Sequence, residues 1–316
     1  MPLPGLSLIA CFSRLFGVVL ALATGAAMAA PPPAYEDPGV LVLGRISDDP
    51  KSHYEQLKPL LDYVVPRMAD VGIREGRILM ARDAQQMASY LRRGRVDWVT
   101  ETAGTGMLLR ARANATPLLL TERDGVRHYH SVFFARRDSG IETLADLRGQ
   151  RLAFQLPSST SAYFVPAGEL LAEGLDLEIL LSPQDRLHSD AVGYLFARSE
   201  LNIATWVHKG LVDVGVMSNL DWINPQRMPA AFRGDLEVFA RSPDYPRAIE
   251  LVRGDMDARV QARLAEVLMQ AAEDPDAGDA LLRFFKTTRF LPLDSDSLRA
   301  LERIGRDVER VREDVE

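Results

Sequence analysis

The sequence predicts an α/β fold of two lobes with a cleft between them, and three observations carry that prediction. Short unbroken apolar runs, led by Val40-Leu41-Val42-Leu43-Gly44, alternate with stretches of helical period, the pattern of parallel strands buried on both faces. One order of elements, a helix, a glycine, one residue, Val-Asp and an apolar strand, occurs twice, around Gly94-Arg95-Val96-Asp97 and around Gly210-Leu211-Val212-Asp213. With residues 1–29 set aside as a leader, 316 − 29 = 287 residues remain, enough for two compact lobes, since a single core stops growing at roughly 250–300.

Residues 1–29 read as a cleaved signal peptide rather than as part of the fold. They carry one charge, Arg14, then an apolar run to Ala23 and the small-residue exit Ala27-Met28-Ala29, which fits an A-x-A cleavage site and an exported, periplasmic protein. A membrane anchor needs about 20 unbroken apolar residues, and Arg14 and Thr24 interrupt this run. Leu8-Ile9-Ala10-Cys11 is similar to a lipoprotein processing site but stands too early, with no basic residue ahead of it. Cleavage removes Cys11, the only cysteine, so the mature chain has neither a disulfide nor a thiolate metal site. A net charge of −7, without any long basic cluster, argues against nucleic acid or an anionic membrane as partner.

Residues 30–39, with Pro31-Pro32-Pro33, form an extended lead-in. After the first strand, Leu57, Leu60, Leu61, Val64 and Met68 recur at helical spacing, with Pro59 and Pro66 limiting the regularity. Residues 77–81 read as a second strand, 84–93 as a helix stopped by Gly94, and Val96-Asp97-Trp98-Val99 as a third strand. Val132-Phe133-Phe134-Ala135 is a strand placed at the first crossover, followed by a short helix that Gly149 closes and the strand Leu152-Ala153-Phe154. The C-terminal third is helical, with Val260, Leu264, Val267, Leu268 and Ala271 on one face, then Leu298, Leu301, Ile304, Val308 and Val311 on another, the last helix capped by Asp294 or Ser295. The first lobe is assigned residues 40–134 and 240–316, the second 135–239.

The most informative stretch is Pro157-Ser158-Ser159-Thr160-Ser161-Ala162, which puts four hydroxyls where a turn enters a helix. Unpaired amides and the positive end of the helix dipole attract an oxyanion there. An ordinary helix cap uses the same residue types, so the turn alone leaves both readings open.

The run from Phe154 through Gln155-Leu156-Pro157-Ser158-Ser159-Thr160-Ser161-Ala162-Tyr163 to Pro166 resembles the ligand loop of the phosphate, phosphite and phosphonate ABC-transporter binding proteins. The resemblance takes in Val40 to Asp48, Val96-Asp97, Tyr129-His130-Ser131-Val132, Leu144-Ala145-Asp146-Leu147-Arg148-Gly149 and Gly210-Leu211-Val212-Asp213-Val214-Gly215. It implies a type II periplasmic binding-protein fold, two α/β lobes joined by two crossover strands. It also implies that Ser159, Thr160 and Ser161, with Ser158 beside them, hold a small anion, that Ser47 and Asp48 line the opposite lobe, and that Tyr129 and His130 sit near the hinge.

Several positions depart from the family pattern. Ala162 stands where a glycine is usual, and Glu101 where many members have an aromatic residue. Glu101 is read either as a cleft carboxylate, which would repel a dianion, or as a solvated loop acid. The region that would hold a ligand amine reads Glu200-Leu201-Asn202, with Asp221 the nearest acid, and Asn202 and Asp221 are the candidates there. Pro246-Arg247-Ala248 offers a cation where an acid would be expected, and Arg247 suits an oxyanion.

Enzyme motifs are missing from the sequence: there is no G-x-S-x-G elbow, no Walker loop and no H-E-x-x-H, and the five histidines lack ligand spacing. No cofactor and no metal are therefore expected. Ser159 or Ser161 as a hydrolase nucleophile has no base placed by any motif. The expectation is a monomeric periplasmic solute-binding protein that delivers a small anionic ligand to the membrane permease of an ABC transporter. The alternative is a sensor of the same fold reporting to a membrane kinase or cyclase.

Overall fold

The structure, a computed structural model, describes residues 39–315, which belong to one compact unit; the leader at 1–29, Cys11 and the prolines of the lead-in lie outside the described residues. In chain order the first part runs β1 (Val40–Ile46), α1 (Pro50–Val64), β2 (Glu75–Ala81), α2 (Ala84–Arg92), β3 (Trp98–Glu101), α3 (Ala103–Ala113) and β4 (Thr116–Arg123). Next come β5 (His128–Tyr129), β6 (Ser131–Arg136), β7 (Arg151–Phe154), α4 (Val165–Ala172), β8 (Asp176–Ile179), β9 (Ala191–Phe196), α5 (Glu200–His208) and β10 (Val214–Ser218). The chain continues with α6 (Asn219–Ile223), α7 (Ala230–Arg233), β11 (Leu236–Arg241), β12 (Tyr245–Pro246), β13 (Ile249–Val252), α8 (Ala258–Gln270), α9 (Gly278–Arg283), β14 (Thr287–Leu291) and α10 (Ser295–Asp314).

Two six-stranded sheets form the two lobes. The first has the order β14-β4-β13-β3-β1-β2 and the second β11-β6-β10-β7-β9-β8. A separate two-stranded ribbon pairs β5 with β12, Tyr245 opposite Tyr129 and Pro246 opposite His128, so the two segments that cross between the lobes are bonded to each other. Within each lobe a parallel core is flanked by antiparallel strands: β1 runs parallel to β2 and β3, while β13 runs antiparallel to β3 and β4.

The repeated Val-Asp signal has a common structural cause. In the first lobe the Asp97 carboxylate accepts the Val42 N–H at 2.8 Å while the Asp97 N–H donates to the Val42 carbonyl. In the second lobe the Asp213 carboxylate accepts the Arg151 N–H at 2.8 Å while the Asp213 N–H donates to the Arg151 carbonyl. Each aspartate thus closes the ladder at the start of a buried parallel strand, where an unpaired amide would cost roughly 1–3 kcal/mol. Gly94 and Gly210, at φ 62° and 67°, end the preceding helices in the left-handed conformation that glycine adopts without a Cβ clash.

Two placements differ from the sequence reading. Val132-Phe133-Phe134 pairs along its length with β10 and β11, so the second sheet begins at Ser131 rather than after residue 134, and it keeps Ala240 and Arg241 in β11. An apolar run reports burial on both faces but not which sheet supplies the partners. The true crossing is the short β5, with no apolar run to announce it. The first helix begins at Pro50, where Asp49 accepts the Ser52 N–H, and Pro66 lies in a 3-10 segment, Val65–Val71, that ends at Gly72.

The last helix joins the lobes. α10, capped by Asp294 at 2.8 Å from the Ser297 N–H, packs on α3 of the first lobe and α4 of the second. Its Leu301, Ile304, Val308 and Val311 are buried in a core cluster that also holds Met107, Phe164 and Leu170. Burial of each such side chain contributes about 1.5–3 kcal/mol, so the strap is a substantial part of what holds the two lobes together.

Candidate functional site

The cleft between the lobes encloses about 790 Å³ and opens at the C-terminal ends of β1, β3, β7 and β10, where ligands of open α/β sheets bind. Its second-lobe wall is the turn after β7. Ser159 caps the following helix, its Oγ accepting the Ala162 N–H at 3.1 Å, and the Phe164 N–H reaches back to the Ser159 carbonyl at 3.0 Å. That bond makes the first turn, Thr160–Phe164, a π-helical one, wider than the α-helix it leads into. Ala162 has φ −122°, a conformation open to any residue, so nothing in this backbone demands glycine there.

The four hydroxyls of the turn have different surroundings. Ser158 is exposed, Ser159 and Ser161 are half-buried, and Thr160 is buried. The Thr160 hydroxyl is engaged across the cleft, donating to Thr102 Oγ1 at 2.9 Å and accepting the Gly104 N–H at 2.9 Å. Thr102 makes no cap bond for α3 with its own side chain, so a threonine from the other lobe caps that helix instead. A Cβ on Gly104 would come within 2.7 Å of Thr160 Oγ1, which explains the glycine at this approach. Thr160 is therefore a latch between lobes in this structure. Ser161 hydrogen bonds with the Tyr129 phenol, which burial pushes up in pKa while Arg247 and Ser161 pull it down.

The first-lobe wall is charged. Arg45, at the end of β1, donates to the Thr100 carbonyl at 2.7 Å and pairs with Glu101 at 2.9 Å; the second oxygen of Glu101 accepts the Ile46 N–H. Glu101 is thus a buried cleft carboxylate already neutralised by its own wall, not a solvated loop acid. Behind it, Glu250 is fully buried and accepts from Trp98 Nε1 at 2.6 Å, Thr100 Oγ1 at 2.8 Å and Thr121 Oγ1 at 2.6 Å. Burial pushes the Glu250 carboxyl up, and these donors with Arg123 pull it down. Arg123, 8% exposed, donates to Thr100 Oγ1, and Arg247 lies over the Tyr129 ring with its guanidinium carbon 5.0 Å from the centroid.

Near the mouth of the second lobe, Gln155 Nε2 donates to Glu200 at 2.6 Å and Arg227 lies 3.3 Å from its other oxygen. Burial, and then the neighbouring Asp221, pushes the Glu200 carboxyl up. The lining as a whole has five arginines against four carboxylates, in a chain whose net charge is −7.

The structure brings Ser158, Ser159, Thr160, Ser161, Glu101, Tyr129, Asp221 and Arg247 to this cleft. It does not bring Ser47, Asp48, His130 or Asn202 to the wall. Ser47 Oγ is 2.6 Å from His53 Nδ1, and Asp48 is exposed. His130 Nδ1 pairs with Asp244 at 2.9 Å, outside the lining. Asn202 turns its amide back to the Ala197 carbonyl at 2.7 Å, and it is Glu200, in the first turn of α5, that faces the cleft. Arg45, Thr102, Gln155, Glu200 and Arg227 also line the cleft without having been candidates; Arg45, Gln155 and Glu200 lie inside the stretches that carry the family resemblance or its departures, Thr102 and Arg227 outside them.

A larger concavity, about 1050 Å³, lies at the opposite end of the first sheet around Gly39, Asp97 and Arg253. Its central charges are already paired, Arg253 with Asp97 at 2.9 Å and with Asp255 at 2.7 Å, and it touches one lobe only, so the interlobe cleft is the better candidate. Among the described residues no group of three or more His, Cys, Asp or Glu is placed to hold a metal, and no helix is long and apolar enough to cross a membrane.

The model of the periplasmic substrate-binding proteins of phosphonate ABC transporters matches residues 44–298. The chain belongs to this family. Family membership makes it the binding component of a transport system, with a membrane permease as partner. A probable phosphite-binding ABC-transporter protein, PhnD1 of Prochlorococcus marinus, is 21% identical over 290 residues, covering 89% of this chain and 93% of the relative. The Xanthomonas citri protein XAC2383, solved with chloride and with ATP, superposes with a TM-score of 0.82 at 57% and 56% identity, over 88% of this chain and all of that one. PhnD1 in complex with methylphosphonate superposes at 0.59 with 19% identity, over 87% of this chain and all of that one, a likeness of fold.

Proposed function

We propose that this protein is exported by its N-terminal leader, binds a small phosphorus oxyanion in the interlobe cleft, and delivers it as a monomer to the permease of an ABC transporter. One observation carries the reading: the turn at 158–161 presents hydroxyls and the start of a helix on one wall, facing arginines on the other. Neutral donors bind several oxygens without adding charge, and the arginines supply the compensating cation. The relatives support the same class of ligand. XAC2383 has been solved with two different anions, chloride and ATP, and PhnD1 with methylphosphonate.

Hinge closure supplies the functional motion. The paired crossings β5 and β12 form a narrow link, and contacts across the cleft run through Thr160. A ligand that bridges the walls shifts the population toward the closed form by its differential affinity for that form. Catalysis has no part in this reading, since among the described residues no base stands within hydrogen-bonding reach of Ser159.

A thermal-shift screen of phosphate, phosphite, methylphosphonate, sulfate, carboxylates and amino acids tests it. A ligand at 100 times its Kd adds about 2.7 kcal/mol, so phosphorus oxyanions should raise Tm and neutral compounds should not. A melt shifted only by non-anionic compounds would refute the assignment.

A further inference from the structure

Three guanidiniums meet at the first-lobe wall with too few acceptors. Arg45 and Arg123 flank Phe285, their guanidinium carbons 5.0 and 4.6 Å from its ring centroid. Both Nε atoms are buried without an acceptor among the described residues. Arg247 rests on Tyr129 and hydrogen bonds through its side chain to no described residue. Two carboxylates face these three cations, and each is already satisfied, Glu101 by Arg45 and the Ile46 amide, Glu250 by three neutral donors. Like-charge crowding is felt: burial first, then Arg45 and Arg247, hold Arg123 down to about 9. A buried cation without a full set of acceptors is costly unless something supplies them.

The fold also holds this wall in place by an unfavourable backbone. Phe285 and Lys286 both have left-handed φ, 54° and 55°, a conformation that costs roughly 1–2 kcal/mol for each residue other than glycine. These two residues set the Phe285 ring against both guanidiniums. Tyr129 separates this wall from the serine turn, its hydroxyl toward Ser161 and its ring face under Arg247. A cleft of about 790 Å³ falls in the range of roughly 300–1,000 Å³ that holds ligands larger than a single phosphate.

We infer that the ligand carries two oxyanions on a short linker, one held by the serine turn and the second by Arg45 and Arg247, which line the cleft with Arg123 buried behind them. This rests on the proposed binding of a phosphorus oxyanion in the cleft and specifies its class. The second group is a phosphate or a carboxylate, since planar guanidinium forks fit both.

Calorimetric titration of the full chain with methylphosphonate, pyrophosphate and phosphonoacetate tests it. A second charge-assisted contact should make pyrophosphate, phosphonoacetate or both bind at least about tenfold tighter than methylphosphonate. Arg247→Gln should lower that ratio by about fivefold or more, and preference for one of the two probes distinguishes a second phosphate from a carboxylate. Equal affinities for one-anion and two-anion probes in the unaltered protein, with methylphosphonate still bound, would overturn this inference and leave the proposed function standing. Failure of all three probes to bind would overturn both. The ratio in the unaltered protein decides the matter even where Arg247→Gln does not fold.

Discussion

The loops that follow β1 and β7 occupy the same place in their lobes, yet they do different work. After β1, Ser47 is tied to His53 and Asp49 caps α1, so the loop closes on itself. After β7, Ser159 closes the helix cap while Ser161 faces the cleft and Thr160 crosses to the other lobe. The first lobe therefore lines the cleft with strand-end arginines and the second with a hydroxyl turn. Duplicated topology places two walls, and side-chain chemistry decides what each can hold.

The largest effect should come from the charge support of the first wall. Glu250→Leu takes one carboxylate from the field around Arg123 and leaves the buried Trp98, Thr100 and Thr121 donors without their acceptor, at about 1–3 kcal/mol for a buried donor left unpaired. A urea melt should show that loss; an unchanged midpoint would mean that Glu250 does not support the arginines.

The next effect separates the two loops. Thr160→Val removes both hydrogen bonds that Thr160 makes to the first lobe and strands the Gly104 amide, so stability should fall by about 1–3 kcal/mol. Small-angle scattering should report a more open molecule. Ser47→Ala should cost about 1 kcal/mol of stability, the worth of one hydrogen bond, and leave ligand affinity alone. A loss of affinity there would place the first-lobe loop in the site and end the asymmetry.

The smallest effect concerns the strap behind both walls. Burial pushes the Asp307 carboxyl up, and burial followed by Asp307 does the same to Glu169 on α4. An acid that holds its proton more tightly when folded contributes stability below its unfolded pKa and loses it as pH rises through the folded one. Asp307→Asn should therefore raise Tm by roughly 2 °C at neutral pH, and the gain should vanish as pH falls below the ordinary carboxylate range. A gain independent of pH would mean that the charge is not its cause.

The sequence announced the fold through features tied to the backbone. Val40-Leu41-Val42-Leu43, the glycines at 94 and 210 and the two Val-Asp pairs each answer a local requirement of strand burial, helix ending or ladder closure. The serine turn was readable for the same reason, because a helix start has its own residue preferences. The arginine wall was not, since Arg45, Arg123 and Arg247 come from three separated strand ends that only the folded sheet brings together. Ser47 and Asp48 illustrate the converse: position after the first strand was legible, but the direction of the Ser47 hydroxyl depends on His53.

The serine turn as an oxyanion site is the claim on which the rest depends, and methylphosphonate titrated into the unaltered protein and into Ser161→Ala tests it most directly. The account predicts saturable one-to-one binding that weakens by about tenfold or more when the hydroxyl is removed, the worth of one hydrogen bond to a charged group. Equal affinity in the two proteins, or no binding to either, would contradict it.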